Sequence, residues 1–387
     1  MDEQTRGFIL ALVVIAILGS IALLEFQKTP RSANFQNTSI TPLLQTNCSG
    51  ENCAATTQVI ASKATRFPRA VELVAPDGFL NLPSGKASIT VGELIGKKII
   101  MVDFWTYSCI NCQRTTPYLN AWYEKYGDKG LEIIGVHTPE FDFEKEYGNV
   151  QKAIDKFGIK YPVVQDNQYQ TWTAYRNRYW PHKFIIDIDG FIVYDHIGEG
   201  GYEQTEKVIQ ELLKERMERL GEQQKISNET ATPSAQAPGA VGSPEIYFGA
   251  WRNEYLANGA QGREGEQAFT QPQEIALNDL YLVGNWSFTQ EYAENLNEGS
   301  RIVFRYSAKN VYFVASAEKA TMIKVLRDGV PVGEEKGVDL EDALGESVAI
   351  VQESQLYHLI EEGESGEHTL EITAMQPGLK AYTFTFG

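Results

Sequence analysis

Cys109 and Cys112 stand two residues apart, behind the mostly apolar run Val102-Asp103-Phe104-Trp105-Thr106-Tyr107-Ser108. Lys98 to Trp105 reads as a short, β-branched strand of the kind buried in the middle of a parallel sheet. Tyr118, Leu119, Trp122, Tyr123 and Tyr126 then recur at helical spacing, and Gly127 and Gly130 supply the stop. Cys109 is therefore expected at a strand-to-helix junction, with Cys112 one turn inside. The first amides of a helix lack internal partners, and the dipole favours negative charge there. A thiolate in such a position is stabilised and attacks disulfides near neutral pH. A second sulfur one turn on displaces the mixed disulfide that forms. On this reading Cys109 is the exposed nucleophile and Cys112 the more buried resolving thiol. Two other readings of the bare pair stay open. One is half of a zinc site, which needs a second Cys or His pair that the five scattered His do not supply. The other is a pair of inert structural thiols.

The surrounding sequence must build a scaffold for that junction. Leu131 to Val136 is a second apolar strand, and Val150 to Phe157 is helical and ends at Gly158. Lys183 to Ile188, Asp189-Gly190 and Phe191 to His196 form a hairpin signal. Glu203 to Leu220 is amphipathic, with Val208, Ile209, Leu212 and Leu213 on one face. Ala70 to Leu82, broken by Asp77-Gly78, suggests an N-terminal hairpin. Strands alternating with helices predict an α/β domain over residues 67–220, a mixed sheet with helices on both faces. His137, His182 and His196 read as ordinary polar residues, and no cofactor or metal is expected.

The motif Val102-Asp103-Phe104-Trp105 followed by Cys109-x-x-Cys112 resembles the active-site strand and helix of the thioredoxin superfamily. Asp103 lies where thioredoxins keep a buried acid, and Pro117 where they kink the helix. Trp105-Thr-Tyr-Ser-Cys-Ile-Asn-Cys-Gln-Arg-Thr is similar to the TlpA-like branch, and in particular to the soluble C-terminal part of DipZ-like cytochrome c biogenesis proteins. That likeness runs from about Phe67 to the C-terminus. It implies a thiol-disulfide oxidoreductase acting on protein disulfides as a reductase or isomerase, with a place in cytochrome c maturation. It also implies a membrane electron donor of the CcdA type, as a separate protein, because the polytopic domain of DipZ-like proteins does not precede this region. The dipeptide Ile110-Asn111 replaces the thioredoxin Gly-Pro, so the potential does not carry over. Two further sites follow from the resemblance. Trp180-Pro181 occupies the place of the cis-proline that faces the CxxC and leaves backbone free to pair with an extended substrate; a plain turn proline is the alternative. Glu140 occupies the place of a glutamate near the disulfide in TlpA-like proteins, where an acid beside Cys112 exchanges its proton. Asp103 is the rival for that role, and each acid also has a bland reading, a solvated loop acid for Glu140 and a structural buried acid for Asp103.

The rest of the chain divides around this domain. Phe8 to Leu24 is an uncharged apolar run at the short end of what spans a bilayer, which predicts an uncleaved anchor over 1–26; a signal peptide cleaved near Ser20-Ile21-Ala22 and a buried core helix are the alternatives. Arg6 on one side and Lys28 and Arg31 on the other do not orient it. The chemistry and the cysteine pairs place the bulk of the chain outside the cytoplasm, periplasmic or at the cell surface. Residues 27–66 read as a flexible tether, carrying Cys48 and Cys53 around a Gly turn as a disulfide staple, with a relay that exchanges with Cys109 and Cys112 or a metal site as the other readings. A linker rich in Ser, Thr, Ala, Pro and Gln follows at 221–243. Residues 244–387 alternate apolar and polar in many short strands, which predicts an antiparallel sandwich; the resemblance implies a jelly roll like a carbohydrate-binding module. Trp251, Tyr255, Trp286 and Tyr292 are the rings that would stack on a glycan or plug the ends of the sandwich.

Net charge of −17 over 387 residues argues against nucleic acid and anionic lipid as partners. Thr106-x-x-Cys109 also resembles the peroxiredoxin T-x-x-C, so thiol peroxidation at Cys109 is the second enzymatic reading. A Sco-like copper carrier is disfavoured, since its C-x-x-x-C is one residue longer. A third reading is a cell-surface glycan- or protein-binding protein whose CxxC does no chemistry.

Overall fold

The computed structural model describes residues 51–223, 225–231, 233 and 241–387, with side chains from Gln58 onward. The apolar run at Phe8–Leu24 and Cys48 lie outside the described residues, as does the side chain of Cys53. Among the described residues, no helix is long and apolar enough to cross a membrane. Helix α1, Glu51–Ala64, occupies part of the stretch expected to be a loose tether. Its alanines favour a helix, and Lys63 fastens its end to Asp187, Asp189 and Glu215 at 2.7, 2.9 and 2.5 Å.

The first sheet contains β1 (Gly78–Leu80), β2 (Ile99–Trp105), β3 (Leu131–His137), β4 (Val163–Gln165), β5 (His182–Ile186) and β6 (Ile192–Ile197), in the order β1-β4-β3-β2-β5-β6. The pairs β2/β3 and β3/β4 are parallel and the others antiparallel, so the sheet is mixed as expected. β2 and β3 are wholly buried, which is why both read as unbroken apolar runs. The expected N-terminal hairpin does not form. Phe79 pairs with Val164 of β4 instead, and Glu72 turns away to accept from the Val91 and Gly92 amides at the start of α2, Val91–Leu94.

Helices cover both faces unequally. The long helices α3 (Ile110–Tyr126), α4 (Tyr147–Phe157) and α6 (Tyr202–Leu220) share one core, in which Leu119, Trp122, Ile154 and Leu213 meet Met101 and Ile133. Side chains alternate across a strand, so Phe104 points to the other face. There it meets Trp172 of the short helix α5, Gln170–Ala174, at 5.8 Å and Tyr175 at 5.4 Å. The expected linker begins docked rather than free. Ile226 and Ala231 pack back on the long-helix face, and the Ala231 amide donates to Glu206.

The C-terminal part is all β. Its strands are β7 (Ile246–Tyr247), β8 (Gly265–Phe269), β9 (Leu280–Phe288), β10 (Ala293–Asn295), β11 (Ser300–Ala317), β12 (Thr321–Arg327), β13 (Val330–Pro331), β14 (Glu341–Ala343), β15 (Glu346–Val351), β16 (Gln355–Ala374) and β17 (Leu379–Phe386). The strands form one connected antiparallel ladder, β14-β15-β12-β16-β11-β17-β10-β9-β8. The two long strands β11 and β16 make the connection. The first half of β11 pairs with β9 and the second with β17, and its register against β16 shifts after Ala308 and again after Val311. Such irregularities bend a strand. The ladder encloses Trp286, Phe304, Phe313 and Phe384. Trp286 is thus a core residue, its indole N–H donating to the Val283 carbonyl at 3.0 Å, and it is not available to a glycan.

Candidate redox site

β2 ends at Trp105, and four residues later Cys109 caps α3 in extended conformation, with no side-chain capping bond. Cys112 lies one turn inside. The two thiols are free and unequal, with Cys109 partly open and Cys112 buried. Burial pushes the Cys112 thiol well above its ordinary value. Its hydrogen bond with Cys109 and the nearby charges of Cys109 and Asp103 push the same way, and the Thr106 backbone opposes them. A thiol held protonated in this way does not compete as first nucleophile.

Asp103 of β2 stands opposite Lys183 of β5 in the antiparallel register, and both are fully buried. Burial raises the Asp103 carboxyl to about 7, against the opposing charge of Lys183. Burial lowers the Lys183 ammonium, and Asp103 and Cys112 hold it up. Lys183 Nζ donates to the Gly198 carbonyl at 3.3 Å, while Asp103 Oδ1 has no hydrogen-bond partner among the described residues. Across the parallel pairing, Gly135 faces Asp103. A Cβ there would come within 2.9 Å of Trp105 Nε1 and 3.1 Å of the Tyr161 ring, so glycine is what lets both rings close over the sheet. His137 is fully buried, edge-on to Trp105 at 5.0 Å and stacked on Tyr107 at 5.7 Å. Burial lowers its imidazole to about 3, so it stays neutral at working pH. Among the described residues, no three His, Cys, Asp or Glu side chains are grouped so as to hold a metal ion.

The Trp180–Pro181 peptide is cis. Trp180 packs on Trp172 at 4.4 Å and donates its indole N–H to the Thr138 carbonyl at 3.0 Å. Trp180 and Cys109 pack at the margin of the same core cluster. The next residue, His182, is tied on both ring nitrogens, to Asn177 Oδ1 at 2.7 Å and Asp195 Oδ2 at 2.9 Å.

The Glu140 carboxylate is held by the β domain, by Arg252 at 2.7 Å and by the Tyr247 hydroxyl, which donates to it at 2.9 Å. The buried carboxylate at the cysteine turn is Glu144, which accepts from the Ser108 hydroxyl at 2.7 Å and the Ser108 amide at 3.2 Å. Sequence reasoning missed it. The available signal was its place three residues after Phe141, the spacing at which an acid caps a short turn.

The β domain also touches the dipeptide between the cysteines. Ile110 is only 6% exposed, in a cluster with Phe141, Tyr312, Val314, Leu356 and Tyr382. The Tyr107 hydroxyl donates to the Ser354 carbonyl at 3.0 Å. Beside the Glu140 contact with the β domain lies a cavity of about 520 Å³, where Pro139, Glu140 and Tyr169 face Trp251, Glu291 and Tyr292. Trp251 is 69% exposed.

Residues 71–195 match the AhpC/TSA family, and residues 243–387 match the family described as Thioredoxin like C-terminal domain. The chain is 36% identical over 318 residues to Protein DipZ of Mycobacterium tuberculosis (strain CDC 1551 / Oshkosh), a match covering 81% of this chain and 43% of that protein. It therefore spans less than half the length of the DipZ proteins it resembles. It is 32% identical over 134 residues to Thiol-disulfide oxidoreductase ResA of Bacillus thuringiensis (strain Al Hakam), covering 32% of this chain and 75% of that protein. Thiol-disulfide oxidoreductase YkuV of Bacillus subtilis (strain 168) is 27% identical over 144 residues, 37% of this chain and 93% of its own. With an unequal pair of thiols at a strand-to-helix junction and these relatives, the chain belongs to the thioredoxin-like thiol-disulfide oxidoreductases.

Proposed function

We propose that this chain exchanges disulfides in other proteins, acting as a reductase or isomerase, with Cys109 attacking and Cys112 resolving. The observation that carries the reading is the asymmetry of the thiols, one partly open at the helix cap and the other buried behind it. Cys109 thiolate attacks one sulfur of a client disulfide. That S–S bond breaks, a Cys109–client bond forms, and the leaving sulfur takes up a proton. Cys112 then gives its proton to Asp103, whose burial and near-neutral midpoint suit an acceptor. The Cys112 thiolate attacks Cys109 Sγ, the second client thiol leaves, and the Cys109–Cys112 disulfide remains. The client gains two electrons and two protons, which an external donor must restore.

In this reading the segment Phe8–Leu24 anchors the chain, and the redox domain works outside the cytoplasm. A CcdA-type membrane protein supplies the electrons, and cytochrome c maturation is the process served. Extended client backbone lies along Trp180-Pro181. A glycan ligand of the β domain is supported by the open face of Trp251 at the cavity, since an exposed indole can stack on a sugar ring. Thiol peroxidation at Cys109 is a second reading, supported by Thr106-x-x-Cys109 and by the AhpC/TSA match. It predicts hydrogen peroxide consumption that a disulfide exchanger lacks.

The test uses the full chain with Cys112→Ser. A mixed disulfide between Cys109 and client proteins is expected, and absence of any trapped client sinks the reading. In wild type, a potential near or below about −250 mV marks a reductant fed by a donor, and one near about −120 mV marks an oxidant. No reversible two-electron step would leave the β domain as the centre of function.

A further inference from the structure

Glu144 lies on the short turn Asp142–Lys145, and its side chain is wholly buried. One carboxylate oxygen, Oε1, accepts from the Ser108 amide and hydroxyl. The other, Oε2, accepts from the Glu140 amide at 2.6 Å and the Phe141 amide at 3.1 Å. All four partners are donors, and a carboxylate can accept from all four at once. Ser108 immediately precedes Cys109, which has no side-chain capping bond of its own to hold it. The far side of the same loop is seated in the β domain. Phe141 and Phe143 meet Tyr382 edge-on at 5.1 and 4.8 Å, and Arg252 holds Glu140. Phe141 also shares a cluster with Ile110, the residue after Cys109.

We propose that Glu144 is a positioning residue of the redox centre, which fixes Ser108 and so Cys109, and carries the seating of the β domain to that sulfur. The inference rests on the reading of Cys109 as the attacking sulfur. Glutamine cannot replace the carboxylate without cost, because its NH2 must face either Ser108 or the two loop amides, donor against donor. Ser108→Ala is milder, since it removes one hydroxyl and leaves the loop amides held.

The experiment uses the full chain with Cys112→Ser, alone and combined with Ser108→Ala, Glu144→Gln or both. Alkylation of Cys109 by iodoacetamide is followed site by site with mass spectrometry from pH 5 to 10, beside thermal melting. The limiting rate above the midpoint should fall about tenfold with Glu144→Gln, the size of one lost hydrogen bond to a charged group. Ser108→Ala should slow the reaction with melting unchanged, and should add nothing in the Glu144→Gln background. If Glu144→Gln fails to fold, Ser108→Ala decides alone. A wild-type rate in Ser108→Ala, or independent effects in the double variant, overturns the proposal. Alkylation needs no client, so a chain that traps no client but shows these effects loses the proposed function and keeps this inference.

Discussion

Asp103 and Glu144 are both buried carboxylates beside the same pair of cysteines, and their surroundings are opposite. Asp103, under the CxxC helix, has one oxygen without a hydrogen-bond partner and a buried lysine across the strand pair. Glu144, on the loop side, accepts from four donors. Burial raises both carboxyl groups. What separates them is satisfaction. An acid with a free lone pair and a midpoint near 7 can take a proton in the working range. An acid with every acceptor site filled has little room for a proton and holds backbone instead. The difference teaches that burial marks an acid as significant, and the count of its donors says for what.

The comparison is open to direct attack. Glu144→Ala should cost the most, about 4 kcal/mol of stability, because it strands buried amides and a hydroxyl together. Chemical denaturation of the full chain reads this, and a loss under about 1 kcal/mol would mean that water replaces the carboxylate. Next, Asp103→Asn should slow resolution of a preformed Cys109 mixed disulfide by about a hundredfold at pH 8. The wild-type rate should rise as pH climbs through about 7, since Asp103 accepts a proton only once it has lost its own. Asparagine should flatten that step. A rate step that survives in Asp103→Asn assigns the proton to another group.

Lys183→Met should act in the same place and less strongly. The lysine charge pulls the Asp103 carboxyl down, so its removal moves the step in resolution rate to higher pH. At pH 7 the rate should fall about threefold, with the high-pH limit near wild type. Stopped-flow resolution across pH 5 to 9 separates this shift from a general loss of rate, and a shift to lower pH would contradict the charge pairing.

The parts of the site that lie on one strand and one helix were legible in the sequence. A buried run followed by a helical period locates Cys109 and Cys112, and alternation along β2 puts Asp103 on the face of the sheet covered by the CxxC helix. Lys183 was not legible, because a lone lysine in an apolar strand looks like an exposed charge until the strand order sets it opposite Asp103. The partner of Glu140 was not legible for the reverse reason. Its place in the loop fitted the resemblance, but Arg252 is 112 residues away, in a turn of the β domain. The contact of Tyr107 with Ser354 spans 247 residues and has no local signal at all. In the β domain, alternation marked strands but not their connection, because the irregularities in β11 and β16 are local shifts of register, by three residues and by one, within otherwise regular strands.

Arg252→Gln makes the smallest and most discriminating change. It removes the cation from Glu140 and leaves the Tyr247 hydroxyl as donor. The guanidinium is about 40% exposed, so solvent screens the pair, and a loss of about 1 kcal/mol is expected in denaturation. Glu144 keeps its four donors, and Asp103 keeps Lys183, so the pH step in resolution should stay where it is. A step that moves with Arg252 would bring Glu140 back into the proton chemistry, and two kinds of acid at this dithiol would have to become three. A step that stays, with stability slightly lowered, leaves Glu140 as an interdomain contact and Asp103 as the acid that handles the proton of Cys112.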